Sequence, residues 1–140
     1  DPKTYPNHAI AIKTADCLPI LLLGEKIAMI HAGWRGLHKG ILSNPMLGEL
    51  NINKAFIGPS ILTYEITEEF KQHFVESKNF TKEQGKWYFN LQNEAKEQLL
   101  KNFASINVDI CNVCTLKDDK FHSFRRNQTN NRNWNIFKLN

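Results

Sequence analysis

The chain has 140 residues, 41% of them hydrophobic and 23% charged, with a formal net charge of +4. That size and composition suit one globular domain with its own core. No apolar run approaches the roughly 20 residues of a membrane span, and the scattered Lys and Arg form no basic stripe with interleaved aromatics, so small anionic ligands are expected rather than nucleic acid.

In chain order, Asp1 to Asn7 reads as an irregular, Pro-containing entry. Apolar runs bounded by turn residues predict strands at about 9–13, 18–23 and 27–32, with Gly24-Glu25-Lys26 as the turn between the last two. Leu37, Ile41 and Leu42 have helical spacing, which predicts a helix over about 36–44 that ends before Pro45. Lys54 to Ile57 reads as a strand stopped by Gly58-Pro59. A helix is expected from Thr67 to Glu76, with Thr67 as its N-cap and Phe70 and Phe74 one turn apart. Ser77 to Gly85 is polar and reads as a loop, and Trp87 to Phe89 as a short strand. Asn90 caps the clearest helix, Leu91 to Phe103, whose apolar stripe is Leu91, Ala95, Leu99 and Phe103. Strands near 106–111, 121–125 and 134–139 complete the chain. Strands and helices do not alternate strictly, which predicts an α+β fold in a single domain over 1–140. Neither G-x-G-x-x-G nor a P-loop is present.

The chemistry concentrates in Thr14-Ala15-Asp16-Cys17-Leu18-Pro19 and His31-Ala32-Gly33-Trp34-Arg35-Gly36. Each motif lies at the end of a predicted strand, so Cys17 and His31 can converge on one point. A thiol and an imidazole together suit a metal site or a Cys-His nucleophilic site. Either residue by itself is more commonly structural. Arg35 falls near a helix N-terminus, where anions are favoured. Asp16 is either the partner that fixes a ligand imidazole or a turn residue. Arg125 and Arg126 are adjacent, so on a strand only one of them faces the site. Of the remaining histidines, His8, His38 and His73 have bland surface readings, and His122 is a weak candidate. Three cysteines without a secretory signal argue against a disulfide framework, and Cys111-Asn112-Val113-Cys114 lacks the second half of a zinc motif.

The two motifs together resemble the YfiH-like family, known also as the laccase-domain or multicopper polyphenol oxidoreductase family and as the purine nucleoside phosphorylase family. Further matching stretches are Gly58-Pro59-Ser60-Ile61 followed by Tyr64-Glu65, Asn90-Leu91, and Cys114-Thr115 followed by Phe121-His122-Ser123-Phe124-Arg125-Arg126. The resemblance covers nearly all of the chain. It implies a layered α/β/β/α arrangement of mixed sheets, shared in outline with cytotoxic necrotising factor. It also implies a cytoplasmic, zinc-dependent enzyme that cleaves adenosine, inosine or guanosine with phosphate, with adenosine deamination and methylthioadenosine phosphorolysis alongside. Cys17 and His31 are then zinc ligands and catalytic residues, Arg35 and Arg125 bind substrate or phosphate, and Asp16 supports the ligands from behind. The family pattern has a third ligand, an upstream His in a Gln-x-His motif that nothing in Asp1 to His8 matches, so the chain is expected to be N-terminally incomplete. Copper is less favoured than zinc, because multicopper sites need many His ligands and the five here are scattered. A metal-free Cys-His hydrolase or deamidase and a non-catalytic degenerate domain are the alternatives.

Overall fold

The computed structural model describes residues 7–138. The predicted entry segment, apart from Asn7, and the last residue of the final predicted strand lie outside these. β1 (Ala9–Thr14), β2 (Leu18–Leu23) and β3 (Ile27–Ala32) follow one another through short turns, as the apolar runs predict. The next segment differs. α1 (Trp34–His38) stops early because Gly40 takes a left-handed φ of +75°, a conformation that ends a helix. A 3-10 turn (Ile41–Ser43) follows, and Asn44 then caps a new helix, α2 (Pro45–Gly48), by accepting a hydrogen bond from the Met46 N–H. Pro45 therefore opens a helix instead of closing one, as its fixed φ and missing N–H allow.

β4 (Lys54–Ile57) was expected, but β5 (Thr63–Ile66) was not. The predicted helix over Thr67 to Glu76 is a 3-10 helix (Glu69–Phe74), in which Phe70 N–H donates to the Thr67 carbonyl and Lys71 N–H to that of Glu68. The predicted loop contains β6 (Phe80–Glu83), which pairs with β7 (Lys86–Asn90) across Gln84-Gly85; both turn residues have positive φ, as a tight hairpin requires. α3 (Leu91–Asn102) is capped by the Asn90 side chain on Asn93 N–H and buries Leu91, Ala95 and Leu99. After β8 (Asn107–Ile110), the predicted strand over 121–125 is instead a helix, α4 (Phe124–Asn127). Its cause is capping: Ser123 Oγ accepts Arg126 N–H at 3.1 Å and an Asp16 carboxylate oxygen accepts Arg125 N–H at 2.7 Å, so two of the helix's orphan donors are satisfied. β9 (Asn133–Lys138) ends the described chain.

The strands form three sheets, ordered β3-β2-β4-β8, β5-β7-β6 and β1-β9. All pairs are antiparallel except β4 with β8, so the fold is α+β with a mixed central sheet. β2 lies inside that sheet. Its continuous apolar run suits a strand covered on both faces, and Leu18, Ile20 and Leu22 are fully buried. The three-stranded sheet contributes Phe89, also fully buried, with the rings of Phe70, Phe74, Phe80 and Tyr64 around it. No described helix is long and apolar enough to cross a membrane.

Candidate active site

Strand register brings the two principal candidates together. Leu18 pairs with Ala32 and Pro19 with His31. Extended by one residue, that register sets Cys17 opposite Gly33. His31, two residues from Gly33, shares its face of β3. The approach is close: a Cβ on Gly33 would lie 2.9 Å from Cys17 Sγ, so only glycine leaves the thiol its room.

Cys17 and His31 line one cavity of about 340 Å³, within the size range of small-molecule sites. Trp34, Ile61, Tyr64, Leu91 and Phe124 supply its apolar wall, and Asp16, Arg125 and Arg132 its charges. Burial pushes the Cys17 thiol up, Asp16 adds to the rise, and Arg132 opposes it. Burial and then Arg132 push His31 down, which favours its neutral imidazole. Burial likewise raises the Tyr64 hydroxyl far above its ordinary value, with Arg125 opposing.

Asp16 turns the chain between β1 and β2 at φ +83°, a left-handed conformation that Asp tolerates better than most residues. Its Oδ1 accepts from the Thr115 hydroxyl at 2.8 Å and its Oδ2 from Arg125 N–H. Its carbonyl accepts Ile61 N–H. The residue thus fastens the Cys17 loop to α4 and to the segment after β4.

Arg125 lies over the Tyr64 ring, 4.4 Å from the centroid, and donates from Nη1 to the Glu65 carbonyl at 3.1 Å. Arg126 points elsewhere and donates to the carbonyls of Thr115, Leu116, Asp118 and Phe121. Of the pair, Arg125 lines the cavity, aimed by a helix and not a strand, and Arg126 braces a loop. Arg35 does not line the cavity. It is exposed and lies 4.6 Å from the centroid of the Trp34 ring, which does. His122 is exposed and donates its N–H to Asn133.

Tyr64 and Arg132 join the site without having been singled out from sequence. β9 pairs with β1 so that Asn133 faces Thr14, which carries Arg132, just before β9, to the end of the sheet where Cys17 follows β1. Only that long-range pairing reveals it. Cys111 and Cys114 flank a turn with Asn112 at φ +57° and do not open a helix; Cys114 Sγ accepts the Leu62 N–H at 3.5 Å. A second cavity of about 500 Å³, beside α1 and α3, contains His38, His73 and Glu94, but no thiol. Both Glu94 oxygens there are bound, to Ser77, Asn79 and Gln98.

An α+β fold that delivers a thiol and an imidazole to one ligand-sized cavity defines a Cys-His site protein. The chain belongs to the multi-copper polyphenol oxidoreductase laccase family, whose model matches residues 3–139. It is 38% identical over 134 residues to a purine nucleoside phosphorylase of Aquifex aeolicus, covering 90% of this chain and 63% of that protein. It is 30% identical over 145 residues to purine nucleoside phosphorylase YfiH of Escherichia coli K12, covering 91% and 58% respectively. The solved structure of a Neisseria meningitidis protein of the DUF152 family superposes with a TM-score of 0.81 at 28% identity, covering 94% of this chain and 60% of that one. The chain therefore spans about three-fifths of the length of these relatives.

Proposed function

We propose that the Cys17–His31 cavity belongs to a zinc-dependent purine nucleoside phosphorylase, which converts adenosine, inosine or guanosine and phosphate to the free base and ribose 1-phosphate. The observation that carries this reading is the convergence of Cys17 and His31 on one aromatic-walled cavity that also holds two arginines. The names of the relatives support the substrate class. The apolar wall of Trp34, Tyr64 and Phe124 suits a flat heteroaromatic base.

The donor set fits zinc: a thiol sulfur and a neutral imidazole are among its preferred ligands. Among the described residues, no group of three His, Cys, Asp or Glu is placed to hold a metal ion. When bound, zinc supplies a Lewis-acid centre beside the substrate. Its charge also offsets the burial that keeps Cys17 protonated. A metal-free Cys-His hydrolase would use Cys17 as nucleophile and His31 as base; burial, which raises the thiol, works against the thiolate that chemistry needs. Adenosine deamination is a companion activity open to the same site.

The test is phosphate-dependent release of hypoxanthine from inosine by the full-length protein, with zinc supplied and bound zinc counted. Cys17→Ala and His31→Ala should each lose bound zinc and lower turnover by at least about 100-fold, since even weaker outer partners of a metal cost roughly 10–100-fold. Full turnover by Cys17→Ala would end this reading.

A further inference from the structure

The hydrogen-bonding capacity left over in this cavity, beyond Cys17 and His31, is of one kind. Tyr64 is 5% exposed, and its Oη has no hydrogen-bond partner among the described residues. Arg132 uses Nη1 on the carbonyls of Thr129 and Asn131, at 2.9 and 2.8 Å. Arg125 uses Nη1 on the Glu65 carbonyl. The rest of each guanidinium fork has no bond among the described residues, and none of the described ion pairs involves either arginine. Asp16, the carboxylate among the cavity's lining residues, has each oxygen engaged, by the Thr115 hydroxyl and Arg125 N–H. The spare groups are thus a hydroxyl donor and two cationic forks. A ligand that satisfies them must bring several acceptor oxygens and negative charge.

Resting on the phosphorolysis reading above, we infer that Tyr64 Oη, Arg125 and Arg132 form the seat of inorganic phosphate, the nucleophile of that reaction. A tetrahedral phosphate dianion offers acceptors to all three groups and is matched by two positive charges. Arg132 and Arg125 line the same cavity as Cys17 and His31, and Arg125 lies on Tyr64. An anion held between them sits beside the reacting centre. From there a phosphate oxygen forms the bond to ribose C1′ while the C1′–N9 bond breaks. The base leaves with that electron pair and takes up the proton that hydrogen phosphate gives up. Holding the nucleophile converts a collision into a positioned attack. Arg35, expected from sequence in this role, stacks on Trp34 outside the cavity.

The test uses the full-length protein and inorganic phosphate. Equilibrium dialysis with radiolabelled phosphate gives binding, and steady-state assays give separate KM values for phosphate and inosine. Tyr64→Phe removes only the hydroxyl and should weaken phosphate about 10-fold; Arg132→Gln should weaken it about 10–100-fold, with Arg132→Lys in between, as losses of charge-assisted and forked contacts do. The inosine KM should stay within about 2-fold, the scatter of neutral contacts. Exposed Lys39→Gln, outside the cavity, is the unchanged control. If Arg132→Gln fails to fold, Tyr64→Phe and Arg132→Lys decide the matter. Phosphate binding that is equal to wild type in these variants overturns the seat, even if inosine is still cleaved and the functional reading stands. Phosphate binding that falls in the variants of a protein unable to cleave inosine upholds the seat and overturns phosphorolysis.

Discussion

Asp16 shows how much of the site hangs on one side chain. Its carboxylate joins a turn to residues 99 and 109 positions further along the chain. Asp16→Ala would leave the fully buried Thr115 hydroxyl and the Arg125 N–H without their acceptors, at a cost of about 1–3 kcal/mol for a buried orphan. Asp16→Asn keeps the shape and tolerates the positive φ, and isolates the charge. Burial is the larger cause of the raised Cys17 pKa and stays in place in this variant; the Asp16 charge is the second cause and is removed. A negative neighbour disfavours the thiolate, so the Cys17 pKa should fall in Asp16→Asn. In metal-free protein with Cys111 and Cys114 replaced by Ser, the pH profile of iodoacetamide alkylation should move to lower pH. An unmoved or upward-shifted profile would show that the thiol does not feel this charge. The sequence places Asp16 next to Cys17 and offers it two roles, but its bonds to Thr115 and Arg125 exist only once the fold brings distant segments together.

At the scale of elements, α4 is the piece that aims Arg125, and it is only four residues long. So short a helix depends on its caps, because nucleation costs more than one turn returns. Ser123 is fully buried and accepts the Arg126 N–H. Ser123→Ala should cost about 1 kcal/mol, the usual penalty for losing such a cap. It should also raise the phosphate KM severalfold by loosening Arg125, while bound zinc is unchanged. A Tm loss without any KM change would separate the cap from the site. α4 was illegible in sequence for the same reason. Phe121-His122-Ser123-Phe124-Arg125 has no helical stripe, and one of its two capping acceptors, Asp16, lies in a turn near the other end of the chain. β6 is not legible in sequence because Thr81-Lys82-Glu83 is polar and exposed on both faces, and its turn and partner strand define it. β2, β3 and α3 are legible because each carries its burial pattern within itself: a continuous apolar run, an apolar strand next to a turn, and a stripe at helical spacing behind a cap.

Over the whole molecule, the pairing of β1 with β9 closes the described chain and sets the cavity's geometry. Thr14 faces Asn133 at the end of that ladder; Cys17 follows β1 and Arg132 precedes β9. No local pattern announces the pairing, which is why Cys17 and His31, on adjacent strands, were readable as neighbours and Arg132 was not. Asn135 stitches the ladder at this end. Its Nδ2 donates to the Thr14 hydroxyl at 3.1 Å, and Thr14 is fully buried. Asn135→Ala removes that donor, leaves cavity-lining residues untouched and should cost about 1–2 kcal/mol, the range for a lost partner of a buried polar group. In a chain of this size that corresponds to a Tm fall of roughly 3–8 °C. Because the same ladder positions Arg132, phosphate binding should weaken by a few fold while the His31 environment on β3, followed by its imidazole NMR signals, stays unchanged. A loss of stability with phosphate binding intact would mean that Arg132 is held by its own bonds to Thr129 and Asn131, and that the two ends of the chain stabilise the fold without tuning the site.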